Sequence, residues 1–189
     1  MKKQRFRVIE GGLQAKRKIG GIIILASPEN EPPFMVDAVV FEEDTFLIMT
    51  PPINNIIFRE EHPIRMMTKL IETKPYEPGT VIVNRGQPLK ILAIVHDVDQ
   101  DPTWRDEWVE GAIHGIFRES ERRDIRSISM PMLGTVFGKM HTMRFMEILI
   151  SVITKIMPKR PERIWLRVPR GAAKRLMCII DELLEGDVL

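Results

Sequence analysis

The sequence has one cysteine, Cys178, among 189 residues. A lone thiol forms no internal disulfide and supplies no cysteine cluster for a metal. Its neighbours in "RLMCIIDELL" are apolar at helical spacing, which predicts a buried thiol of little reactivity. Cysteine poverty fits a reducing compartment. Long hydrophobic runs are missing too, and no segment approaches the ~20 apolar residues that span a bilayer. The opening "MKKQRFRVIEGG" lacks the apolar stretch and cleavage site of a secretory signal. A soluble, cytoplasmic protein without a membrane partner is expected. There is also no excess of one charge. Lys and Arg number 28 against 26 Asp and Glu, a net charge of +2. That balance argues against a dedicated nucleic-acid binder, whose basic residues dominate one surface. The basic runs "MKKQRFR" and "AKRK" read as a solvated extension over residues 1–20.

The common signatures of chemistry are missing as well. The four histidines, His62, His96, His114 and His141, show no metal-ligand spacing. No G-x-S-x-G elbow occurs, and no serine has a local partner that would mark it as a nucleophile. His96, at a strand end, reads as a half-buried, hydrogen-bonded imidazole. His141 starts the helix after the Gly loop and reads as an ordinary first-turn residue, with donation to a phosphate as the alternative. Asp97, Asp99, Asp101, Asp106 and Glu107 form an acidic group with oxygen ligands suited to Mg²⁺ or Ca²⁺, but a solvated loop accounts for it better. No catalytic residue, metal site or cofactor is assigned.

What is present is a globular composition. With 44% hydrophobic and 29% charged residues, the chain can bury a core and stay in solution. Its length suits one domain over 1–189. "GGIIILAS" (20–27) reads as a strand buried on both faces, "MVDAVVF" (35–41) as a second and "TFLIM" (45–49) as a third. "EHPIRMMTKLIET" (61–73) has helical periodicity behind a first-turn proline. "TVIVNRG" and "LKILAIVHDV" flank turn residues and predict neighbouring strands. Beyond them the pattern alternates: helix 106–122, strand 126–130, helix 141–157, strand 163–168, helix 171–185. Such alternation calls for a mixed, largely parallel sheet with helices on both faces, a three-layer α/β/α sandwich.

Between strand 126–130 and the next helix lies "MPMLGTVFG" (130–138). Gly134 and Gly138 allow close backbone approach, and the following helix offers unpaired N–H donors at its start. In open α/β sheets ligands sit beyond the carboxyl ends of the strands, where this loop falls. Two readings follow: a cradle for an anion, or a plain turn.

The residues from about Pro78 to Val168 resemble a macro domain, the ADP-ribose-binding module. In "EPGTVIVNRGQPLKILAIVHDVDQDPTW", Gly86 and Leu89 match the family's Gly-x-x-Leu turn. Val95-His96 matches its strand end, and Pro102 and Trp104 match its trailing Pro and Trp. "RSISMPMLGTVFG" is similar to its Ser-Ile-x-x-Pro strand and Gly-rich loop, and "VDAVV" (36–40) to its Val-Asp-Ala-Ile-Val strand. The resemblance implies that Gly134, Thr135, Val136, Phe137 and Gly138 wrap a diphosphate and ribose. Phe41 and Glu42 stand where the family continues with Asn-Ala-Ala-Asn. That Asn-rich segment and the first Gly-rich phosphate loop are absent, as is a clear match for Gly-Asp-Ile-Thr. "RVPRG" supplies Pro169 and Arg170 where the family often offers an aromatic. The resemblance implies a divergent module binding ADP-ribose or a related nucleotide or phosphate ligand, without hydrolase activity. The alternative is a macro-like scaffold that has lost its ligand site and acts through protein contacts or homo-oligomerisation.

Overall fold

The computed structural model describes residues 16–49 and 74–186. The order is β1 (Lys16–Ile19), β2 (Ile22–Ser27), β3 (Ala38–Asp44), β4 (Val81–Asn84), β5 (Leu89–His96), α1 (Asp106–Arg122), β6 (Ser127–Pro131), α2 (Thr142–Ile156), β7 (Arg163–Arg167) and α3 (Ala173–Gly186). The strands form one seven-stranded sheet in the order β1-β2-β7-β6-β3-β5-β4. The five inner strands β2, β7, β6, β3 and β5 run parallel, and β1 and β4 add antiparallel edges. This is the expected mixed, largely parallel α/β sheet.

The edges are made by short hairpins. Gly20 and Gly21 both have positive φ, the requirement of the two-residue turn that joins β1 to β2. From β5 the chain steps through α1 to β6, then through α2 to β7, each step in the same direction across the sheet. Right-handed crossovers therefore place α1 and α2 on one face. They pack against each other, and α3 joins α2 and lies over β1 and β2. The helix expected over 61–73 falls outside the described residues.

Alternation along the strands aligns one core. Ile24, Ile164, Ile128, Val40 and Ile91 belong to a single buried cluster with Ile113, Phe117, Phe145, Leu149 and Ile180 of the helices. Leu25, Trp165, Leu92 and Ile94 are buried without joining that cluster. The inner strands are thus apolar in both phases, as a parallel sheet requires.

Three expectations are corrected. Residues 45–49 are not a strand: the Asp44 carboxylate accepts the amides of Phe46 (2.6 Å) and Ile48 (3.0 Å), and Leu47 takes φ 59°. An Asx-type turn has claimed the donors that a ladder needs. Lys16–Ile19, expected within a solvated extension, is the edge strand β1, paired residue by residue with β2. Cys178 is exposed rather than buried. On α3 the inward stripe is taken by Leu176, Met177 and Ile180, which turns Cys178 outward.

Candidate ligand cleft

Strands β2, β7, β6 and β3 are parallel, so their carboxyl ends open on one side of the sheet. A cleft of about 550 Å³ lies there. Each strand sends it a piece of chain: Pro28–Asn30 after β2, Phe41 and Glu42 near the end of β3, Pro131, Val136 and Phe137 at and beyond β6, and Arg167–Arg170 from β7. This is where α/β sheets place ligands, because side chains and loops from several strands converge there.

One wall is cationic. The Arg167 side chain is only 14% exposed. Its Nη2 donates to the carbonyl oxygen of Val40 (2.5 Å) and its Nη1 to Glu29 Oε1 (3.1 Å). The guanidinium lies 5.7 Å from the centre of the Phe41 ring, a cation–π contact. Burial lowers the Arg167 pKa from its usual value, and Glu29 opposes the shift. The group stays charged, as guanidinium does in proteins. Beside it Arg170, 79% exposed, donates to Glu31 Oε1 (3.1 Å).

The β3 side carries a buried polar relay. Glu42 Oε1 lies 2.5 Å from His96 Nε2, and His96 Nδ1 lies 3.2 Å from Thr103 Oγ1. Glu42 is 5% exposed and His96 1%. His96 is therefore fully buried rather than half-buried, though hydrogen-bonded as expected. The "FEED" segment is neither loop nor Gly-rich turn. It is the second half of β3, held by pairs such as Glu42 with Ala93, and it ends in a register shift between Glu43 and Asp44. Phe137 meets the His96 ring edge-on, with centroids 6.3 Å apart and planes at 89°.

The seven expected site residues divide into two sets. Phe41, Glu42, Val136 and Phe137 line the cleft together. Gly134, Thr135 and Gly138 are not among its lining residues. The Thr135 amide and hydroxyl both donate to the carbonyl oxygen of Met132, at 3.1 and 2.7 Å. Gly134 has φ 76° and its carbonyl accepts the Met140 amide. Gly138 packs so tightly that a Cβ there would sit 2.3 Å from Trp104 Cδ1. The glycines shape the loop, and Val136 (64% exposed) and Phe137 (56% exposed) are what it presents.

Sequence reasoning missed Arg167 and the Glu29–Glu31 loop. A signal existed in "RIWLRVPRG", where a charged residue interrupts an apolar strand at its carboxyl end. In the acidic loop, Asp97 accepts from Gln100 Nε2 (2.6 Å) and from the Asp99 amide (3.1 Å). No cluster of three metal-ligating side chains exists among the described residues. His141 is the exposed residue capping the start of α2, and it makes no side-chain capping bond. No helix among the described residues is long and apolar enough to cross a membrane.

No family model and no curated protein matches the chain by sequence. Solved structures match it by fold. A macrodomain of Oceanobacillus iheyensis, solved with ADP, superposes with a TM-score of 0.63 at 14% identity, over 92% of this chain and 95% of its own. A macrodomain of Trypanosoma brucei in complex with ADP-ribose gives 0.57 at 11% identity, over 85% of this chain and 68% of its own. The macro domain of ganglioside induced differentiation associated protein 2 gives 0.56 at 11% identity, over 83% of each chain. The sheet and its helices thus define an α/β protein of macrodomain fold.

Proposed function

We propose that the chain is a binding module for an ADP-ribose-like nucleotide or a related phosphate ligand, held in the cleft at the carboxyl ends of β2, β7, β6 and β3. The observation that carries this reading is the convergence, at one cleft, of two arginines with two phenylalanine rings. Arg167 and Arg170 suit an acid group, and Phe41 and Phe137 suit a base or sugar face. The volume is that of a small-molecule site. Two macrodomains of similar fold were solved with ADP and with ADP-ribose, which supports the ligand class. In this reading Gly134, Thr135 and Gly138 act by shaping the loop, and Val136 and Phe137 touch the ligand. Glu42 is engaged by His96, which moderates its repulsion of a phosphate. The binding is proposed without hydrolysis, because β3 ends in Phe-Glu-Glu-Asp where the resemblance calls for asparagines.

Calorimetry with ADP-ribose tests the reading. The parent is expected to bind, and Phe137→Ala to weaken binding about fivefold, the scale of one lost ring contact. Incubation with O-acetyl-ADP-ribose is expected to give no turnover. Absence of binding at millimolar ADP-ribose would overturn the nucleotide reading and favour a scaffold acting through protein contacts.

A further inference from the structure

The cleft's two arginines differ in how they are held, and their carboxylate partners share one loop. Arg167 is fixed: it is mostly buried, bound to the Val40 carbonyl and laid against Phe41. Its Nε is buried and has no hydrogen-bond partner among the described residues. A buried guanidinium N–H left without an acceptor is costly, so this group is under-satisfied as it stands. The carboxylates are the opposite. Glu29 is 80% exposed and Glu31 53%. Each makes one 3.1 Å contact, Glu29 to Arg167 and Glu31 to Arg170. Ion pairs that exposed are weak, and their carboxylates return to water at little cost.

The loop that carries them is anchored by its backbone. Ser27 Oγ donates to the Glu31 carbonyl (2.8 Å), the Glu31 amide donates to Pro28 (3.0 Å), and the Ser27 carbonyl accepts the Trp165 indole N–H (3.1 Å). The side chains can therefore leave while the loop stays. A fixed cation under an exchangeable anion is the arrangement of an anion subsite filled from within.

We propose that Arg167 and Arg170 form a subsite for the phosphate or diphosphate group of a ligand, and that Glu29 and Glu31 occupy it until that group displaces them. This deepens the ligand reading of the cleft and rests on it for the identity of the ligand, but not for its charge. The subsite lies at the end of β7, the neighbour of β6, whose following loop gives the same cleft Val136 and Phe137. It selects ligands that carry a multiply charged acid group and disfavours uncharged nucleosides.

Calorimetry with inorganic diphosphate, ADP-ribose and adenosine tests this on three proteins: the parent, Arg170→Ala and the double variant Glu29→Gln/Glu31→Gln. All the substituted side chains are at least half exposed, so folding is retained. Diphosphate is expected to bind the parent. Arg170→Ala should weaken it about fivefold, and the double variant should tighten it by a similar factor, the scale of one or two exposed ion pairs. Adenosine should not respond to either change. If ADP-ribose binds and neither variant alters its affinity or that of diphosphate, the anion subsite is overturned and the nucleotide reading stands. If diphosphate follows both variants and ADP-ribose does not bind, the subsite stands and the nucleotide reading falls. If neither compound binds the parent, both are overturned.

Discussion

Gly138 does not line the cleft, yet the loop depends on it. A Cβ there would lie 2.3 Å from Trp104 Cδ1 and 2.7 Å from the Gly134 carbonyl oxygen. An aromatic ring and a backbone oxygen give way at a cost, so Gly138→Ala is expected to destabilise the protein by about 2 kcal/mol, measured by urea unfolding. Gly134→Val faces a different obstacle. The φ of 76° at Gly134 belongs to the left-handed region, which β-branched residues avoid. That substitution should also lose stability, so it reports on the loop's conformation before it reports on binding. Val136→Gly and Phe137→Ala change the surface that faces the cleft and leave those constraints in place. At Asp37, one carboxylate oxygen takes the Arg126 amide (2.9 Å), the Ser127 amide (2.8 Å) and the Ser127 hydroxyl (2.9 Å). That aspartate of "VDAVV" pins the start of β3 to the start of β6, a structural role for a residue in a stretch that also carries the family resemblance.

Between elements, the surface is tied by arginine–carboxylate pairs. Arg17 of β1 grips Asp181 of α3 with two bonds, at 2.5 and 2.6 Å. Arg160, before β7, reaches Asp124 in the turn after α1 at 2.7 Å. Within α1 and at its C-terminal end, Glu119 receives Arg122 and Arg123. The arginine hydrogen bonds hold the carboxyls of Asp181 and Asp124 below the usual aspartate range, and those from Arg122 and then Arg123 lower Glu119. A depressed folded-state pKa means that the unfolded chain takes up the proton first. The stability these pairs provide is therefore complete above the unfolded value of about 4 and is lost as pH falls through the lower folded values. Melting temperatures taken from pH 6 down to pH 3 should fall steadily below about pH 4.5. Asp181→Asn should shallow that decline. A flat profile in the parent would show that the pairs contribute nothing in solution.

For the whole molecule, stability should follow the sheet order rather than the chain order. Strands β7 and β6 lie in the middle of the sheet and β1 and β4 at its edges. The central strands are buried at nearly every position, whereas β1 is largely open and no residue of β4 is fully buried. Amides that must break the central ladder exchange only through large-scale opening. Hydrogen exchange is expected to be slowest in β6 and β7 and fastest in β1 and β4. Comparable protection in β1 and β7 would contradict this ordering. The same order explains the cleft. Only strands that are parallel neighbours can open their carboxyl ends side by side, and of the five that do, the four that line the cleft, β2, β7, β6 and β3, come from both halves of the chain.

The amino-acid order by itself determined most of the elements. Runs such as "IIILAS", "ILAIV" and "RIWL", and the helical stripes of α1 and α2, record burial in their own periodicity, because each face of a strand or helix meets one environment. It also marked Phe41, Glu42, Val136 and Phe137, which meet at the cleft. It misjudged segments whose fate depends on distant partners. "FEED" is too charged to read as a buried strand, and it is one because β5 pairs with it and His96 takes Glu42. "TFLIM" has strand composition, but Asp44 captured its amides first. Cys178 sits in an apolar run, and its outward direction was fixed only when α3 turned Leu176, Met177 and Ile180 inward. Arg167 carries no local mark of its role. Its acceptor, Val40, lies 127 residues away in sequence, and Glu29 lies 138 away. Local pattern encodes which surfaces a segment must bury. Which charges end up facing one another depends on the order of strands in the sheet, and tertiary structure alone decides that.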